Sequence, residues 1–205
     1  GGLSNLGMVY QRLGYYDKAI QNYEQALQLS EESGEEEDIS KFLNNIGSVY
    51  DMWGKYDRAI DYFERSLRLK EESGNLEGMA VSLNNIGMVY NAWGKYSQAI
   101  RNYKEAWIIN KELDNAEEIA INVNNIGLAF YNQKVFDSAL VYYQKALGMN
   151  AKQGNNDQIA VQYNNIGLVY FKKEEYEKAK NYLLLALKVY RDLGQQADVA
   201  QVLSN

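Results

Sequence analysis

Ile39, Leu43, Ile46 and Tyr50 recur three and four residues apart with polar residues between them, the stride of one face of an α-helix. After a break at Trp53-Gly54-Lys55 the stride resumes at Tyr56, Ala59, Ile60, Phe63 and Leu67. The pattern predicts two amphipathic helices joined by a tight turn. It then returns along the whole chain. Asn44-Asn45-Ile46-Gly47 reappears 40 residues later as Asn84-Asn85-Ile86-Gly87, then as Asn124-Asn125-Ile126-Gly127 and Asn164-Asn165-Ile166-Gly167, with a diverged copy at Ser4-Asn5-Leu6-Gly7. Leu203-Ser204-Asn205 falls in the register of Leu3-Ser4-Asn5, so five units occupy about 1–35, 36–75, 76–115, 116–155 and 156–195, and 196–205 starts a further helix. A hairpin this short cannot bury its own apolar face, so a fixed period of this length predicts a single solenoid array of stacked hairpins.

The glycines punctuate the same frame. Gly14, Gly54 and Gly94 fall in the turn inside a hairpin, and Gly34, Gly74, Gly154 and Gly194 fall at the end of the second helix, where a left-handed residue caps the chain. Lys134 and Glu174 stand in place of two inner turn glycines. Asp114-Asn115 stands in place of an outer one, a position that Asn or Asp tolerates.

This register resembles the tetratricopeptide repeat, whose signature falls on Leu43, Ile46, Gly47, Tyr50, Ala59, Phe63 and Ser66 in the second unit and on Leu83, Ile86, Gly87, Tyr90, Ala99, Tyr103 and Ala106 in the third. The resemblance covers nearly the whole chain. It implies an all-α, right-handed superhelix of five antiparallel helical hairpins plus the start of a sixth, with the first helices lining a concave groove. Gly47 is expected against the region of Ala59, so that the helices of a hairpin approach closely, while Ala26, Ala106, Ala146 and Ala186 leave room for the next unit. The chain has no Pro, which often ends the second helix of the common 34-residue repeat. Here each helix is expected to run about one turn longer to fill the period. Repeats of this length are similar to those of spindle-orientation adaptors, kinesin light chains, the peptide-sensing Rap regulators of bacilli, and arrays fused to bacterial sensor kinases and LuxR-like regulators. The last kind is the most similar.

Composition narrows the chemistry. The 205 residues contain no Cys and no His, which removes thiolate nucleophiles, disulfides, zinc fingers and the commonest general base and metal ligand. A non-catalytic role without cofactor or metal is expected. A formal net charge of −6 disfavours nucleic acid and anionic membrane and suits a basic or neutral partner. The densest apolar run, Leu183-Leu184-Leu185-Ala186-Leu187, is far short of the roughly 20 residues that cross a bilayer. Glu35-Glu36-Glu37-Asp38 complements a helix start better than it builds a cation site. The repeating tyrosines Tyr10, Tyr50, Tyr90 and Tyr170, and Tyr16, Tyr56, Tyr96 and Tyr176, read as packing residues, and Trp53, Trp93 and Trp107 as core or convex surface.

The candidate site is a stripe one residue off the core face of the first helices: Lys41, Asn45, Ser48, Met52; Val81, Asn85, Met88, Ala92; Ile121, Asn125, Leu128, Asn132; Val161, Asn165, Leu168, Lys172. By resemblance this is the groove floor. Asn5, Asn45, Asn85, Asn125 and Asn165 form a ladder whose amides offer a donor and an acceptor to the main chain of an extended protein or peptide segment. Met88, Leu128, Leu168, Tyr131, Phe171 and Asn132 would then select side chains. Val81, Ile121 and Val161 are expected to be buried between first helices, and the Asn ladder, Met88, Leu128 and Leu168 to be open. Asn44, Asn84, Asn124 and Asn164 are placed to bond the adjacent helix instead. The alternative to a docking module, as part of a larger signalling protein, is a structural spacer or self-assembly array. Gly1-Gly2 in mid-helix register reads as an engineered or truncated start. The uncovered Leu3, Leu6 and Tyr10, with Val199, Val202 and Leu203 at the other end, would favour end-to-end association.

Overall fold

The computed structural model describes residues 2–204. Among them are helices α1 (Gly2–Arg12), α2 (Tyr16–Ser33), α3 (Glu36–Met52), α4 (Tyr56–Glu72), α5 (Leu76–Ala92), α6 (Tyr96–Glu112), α7 (Ala116–Asn132), α8 (Phe136–Gln153), α9 (Asn156–Lys172), α10 (Tyr176–Asp192) and α11 (Gln196–Ser204), and no strand. Gly1 and Asn205, which the expectations about the two ends include, lie outside the described residues. Helices α2 to α10 run 17 or 18 residues, the extra turn that the 40-residue period requires. The chain divides into two compact units, 1–109 and 110–205. In the first, α1 packs on α2, α2 on α3, α3 on α4 and α4 on α5; in the second, α7 packs on α8, α8 on α9, α9 on α10 and α10 on α11. The fold is all-helical, built from consecutive packed helical pairs.

The turns obey the left-handed rule even where glycine is missing. Asp114, Lys134 and Glu174 have φ of 53°, 63° and 62°, in the left-handed region that the turn glycines occupy at somewhat larger φ. Each of these three carries the Cβ strain that glycine avoids. Asn75, Asn115 and Asn155 cap the following helices, their side-chain oxygens accepting from the main-chain N–H groups of Gly78, Glu118 and Gln158.

The helix-to-helix approach within a hairpin is set by a glycine facing a large side chain. A Cβ on Gly87 would stand 2.6 Å from the Tyr103 ring, and one on Gly47 would stand 3.0 Å from the Phe63 ring. The nearest atoms to Gly47 belong to the Phe63 ring, one helical turn beyond Ala59; at Gly167 the counterpart of Ala59, Ala179, also comes close, its carbonyl 3.3 Å from a Cβ there. Rings fill the gap because the first helix lacks a side chain there, and they contribute large buried apolar area. Gly127 with Tyr143 and Gly167 with Leu183 repeat the arrangement in the second unit. Ser40 and Ser66, buried where other hairpins have Ala pairs such as Ala80 and Ala106, join their hydroxyls at 2.8 Å.

Candidate functional site

In the first unit the candidate stripe is an open surface. Met52, Val81 and Met88 are 54%, 47% and 49% exposed, and Lys41 is exposed beside Asp38 at 3.8 Å. Val81 was expected to be buried and is not. It borders a cavity of about 460 Å³ that also takes in Asp38, Lys41, Asn44, Asn45 and Gly78, and this opening leaves Val81 uncovered. Lys70 also lines it, and its aliphatic stem lies against Gly78, 2.6 Å from where a Cβ would stand. Asn45 and Asn85 are half-buried, and their amides make no side-chain hydrogen bond. The Gln11 amide donates to Met52 Sδ at 3.2 Å, which ties α1 to α3. The Ser48 hydroxyl donates to the Asn44 carbonyl at 2.9 Å.

In the second unit the same positions are largely spent on internal contacts. Asn124 Oδ1 accepts from Gln162 Nε2 at 3.1 Å and from Asn165 Nδ2 at 3.2 Å, while Asn124 Nδ2 donates to Asn125 Oδ1 at 3.3 Å. Of the ladder residues, Asn165 therefore bridges α9 to α7, and Asn125 accepts from Asn124 on its own helix. Leu128, expected to be open, is half-buried and packs against the core around Tyr143 and Ile166, and Leu168, Asn132, Ile121 and Val161 are also half-buried. The Tyr131 ring lies 5.9 Å from that of Phe136, and the exposed Phe171 ring 5.7 Å from that of Tyr176. Phe171 and Tyr176 border an apolar cavity of about 390 Å³ with Leu183, Leu184 and Leu187.

Electrostatics single out α3. Burial pushes the Asp51 carboxyl above its ordinary value, and no neighbouring cation draws it back. The Tyr103 and Tyr143 hydroxyls are raised strongly by burial, with smaller contributions from Asp51 and Tyr131 respectively. Among the described residues no group of three or more His, Cys, Asp or Glu side chains could hold a metal ion, and no helix is long and apolar enough to cross a membrane. Sequence reasoning missed the cavity at Gly78 and the buried pair in which Asn110 Nδ2 donates to Asn122 Oδ1 at 2.8 Å. It had the bridging role of Asn124 among its readings.

Family models described as tetratricopeptide repeat match residues 2–72 and 117–192, and a second model of that description matches 79–113. Among curated proteins no sequence matches the chain. Among solved structures, BtubC (BKLC) from P. vanneervenii is similar at 25% identity and a TM-score of 0.81 over 94% of this chain and 80% of that one. The Rap conjugation gene regulator of plasmid pLS20, in complex with the Phr* peptide, is similar at 16% identity and a TM-score of 0.75 over 98% of this chain and 55% of that one. A STAND signal-transduction ATPase with a tetratricopeptide repeat sensor from Pyrococcus horikoshii is similar at 18% identity and a TM-score of 0.77 over 98% of this chain and 32% of that one.

Proposed function

Because the chain belongs to the tetratricopeptide repeat family, we propose that it is a non-catalytic docking module that holds a peptide or an extended protein segment on the open face of its first helices. The observation that carries this reading is in the first unit: the Asn45 and Asn85 amides stand without side-chain partners beside the exposed Met52, Val81 and Met88. An unpaired amide grips a main chain through both its donor and its acceptor. Methionine adapts to differing apolar side chains, which suits a surface that admits several sequences. Within the second unit, Asn125, Asn132, Leu128, Tyr131, Asn165, Leu168 and Phe171 make up the corresponding face of its own first helices, more as a packed floor than as a grip. The Rap regulator, solved with its Phr* peptide, supports a peptide as the ligand class, and the STAND protein, with its repeat sensor, supports a sensory part in a larger signalling protein.

The test starts from peptides selected against the immobilised chain from a random display library. Asn45→Ala and Asn85→Ala together, with Met88→Ala, should weaken the selected peptides with helicity unchanged, each lost hydrogen bond contributing roughly 0.5–1.5 kcal/mol. Equal affinity for the variant by calorimetry, with loss on substituting the far-side Leu29 and Arg101, would refute the assignment. A second reading, self-association through α1, draws on the exposed Leu6, Val9 and Leu13. It predicts sedimentation that depends on concentration and is abolished by Leu6→Glu.

A further inference from the structure

The docking reading leaves the chemistry of the docked segment open, and the junction between α3 and α5 narrows it. Asn44, Ser48 and Asp51 lie along one side of α3, four and three residues apart. At the corresponding α7–α9 junction, Asn124 Oδ1 is satisfied by two donors, Gln162 and Asn165. At α3–α5 the residue in the place of Gln162 is Ser82, too short to span the gap. As a result Asn44 Oδ1 and Ser82 Oγ are both buried without a hydrogen-bond partner.

One turn further along α3 the same deficit recurs. In the first hairpin the Tyr23 hydroxyl donates to Gln11 Oε1 at 3.2 Å. The second hairpin has Asp51 in the place of Gln11 and Phe63 in the place of Tyr23, so the acceptor is now a carboxylate and the donor is gone. Neither a hydrogen bond nor an ion pair reaches the half-buried Asp51 carboxylate, and burial raises its pKa unopposed. The charge around the neighbouring cavity points the same way. Glu37, Asp38 and Glu77 outnumber Lys41 and Lys70 there, and Lys41 already lies 3.8 Å from Asp38.

Asn44 Oδ1 is therefore a buried acceptor without a donor, since the Ser82 hydroxyl does not reach it, and the Asp51 carboxylate further along α3 has no counter-charge. A guanidinium or ammonium group supplies both of the missing things, N–H donors and positive charge. We propose that the α3–α5 junction is a specificity site for a basic side chain of the docked segment, with the Asp51 carboxylate as its ion-pair partner and the exposed Met52 supporting its aliphatic stem. The neutral Asn45 and Asn85 amides would hold the main chain on either side. This site selects the residue; the ladder does not.

The experiment is an NMR titration of the full chain with N-acetyl-arginine methylamide and with its citrulline counterpart, which has the same shape and no charge. The arginine probe should shift the resonances of Ser48, Asp51 and Met52 in a saturable way, and the citrulline probe should not. Asp51→Asn should raise the half-saturation concentration by roughly tenfold or more. Ser82→Gln, patterned on Gln162, should bond Asn44, raise the melting temperature and reduce the arginine response while leaving Asp51 in place. Equal shifts from the two probes, an undiminished arginine response in Asp51→Asn, or shifts confined to other surfaces would each overturn the assignment. Neutral display-selected peptides that bind wild type and Asp51→Asn alike, with no arginine response, would reject the basic-side-chain site and leave the docking surface standing.

Discussion

Gly87→Ala adds one carbon atom at a place where the hairpin has no room for it. The new Cβ would stand 2.6, 2.7 and 3.1 Å from Cε1, Cδ1 and Cζ of Tyr103. That ring cannot swing aside, since Tyr103 is 1% exposed and is packed among fully buried neighbours on its own helix, Ala99 and Ala106. Two effects oppose each other. Alanine in a helix interior gains roughly 0.5–1 kcal/mol over glycine, whereas an extra carbon in a filled core costs about 1–3 kcal/mol. Overpacking wins, for a net loss of about 0.5–2 kcal/mol, or a fall of a few degrees in melting temperature at about 2–4 °C per kcal/mol. Trp53, Trp93 and Trp107 are the chain's three tryptophans and all lie in the unit 1–109, so their fluorescence in a urea titration reports the unit that holds Gly87. Gly47→Ala, whose Cβ would meet Phe63 at a more tolerable 3.0 Å, should lose less. On a Tyr103→Ala background Gly87→Ala should become stabilising, because the obstacle is gone and the propensity gain remains. Gly148→Ala, with nothing within 4 Å, should stabilise outright by circular dichroism. A Gly87→Ala chain as stable as wild type, or less affected than Gly47→Ala, would refute the glycine-on-ring account of the hairpin.

Three more outcomes follow from groups described above. The Tyr103 and Tyr143 hydroxyls are raised well above 10.0 in the native state, so on unfolding they ionise at their ordinary value; stability should be intact below about pH 10 and fall as pH rises above it, in urea titrations across alkaline pH. Ser66→Ala alone should cost about 1–3 kcal/mol by stranding the Ser40 hydroxyl, whereas Ser40→Ala with Ser66→Ala should be nearly neutral in the same denaturation assay, as the Ala pairs of other hairpins imply. Lys134→Gly and Glu174→Gly, which relieve φ values of 63° and 62°, should each stabilise the chain by up to about 1 kcal/mol, read as a higher thermal midpoint.

The hairpins were legible because every local cue agreed: the stride of Ile39 to Tyr50, the turn at Gly54 and the return of both at a fixed period. The left-handed turns at Lys134 and Glu174 could be read from register alone, since the repeat fixes the backbone whatever the side chain. Burial on the outer stripe was not legible in the same way. Val81 resembles Ile121 and Val161 in sequence, and it differs in bordering a cavity lined from both α3 and α5, which neither helix reveals by itself. Leu128 read as open because the first helix alone does not reveal the core around Ile166 of the next hairpin, on which it rests. The net charge of −6 suited a basic or neutral partner without naming a position, because composition alone does not place a charge.

The bond from Asn165 to Asn124 makes the hairpins less interchangeable than their shared spelling suggests. Packing residues such as Ile46, Ile86, Ile126 and Ile166 are the same from hairpin to hairpin and carry no information about order. The polar pairs carry private information: Asn124 expects Gln162 in the next hairpin, and the Gln11-to-Met52 contact belongs to another border. Deleting or reordering one 40-residue segment would mismatch these borders one by one. The order of the hairpins is thus itself an inherited trait, written in a few amides and invisible in the repeat consensus.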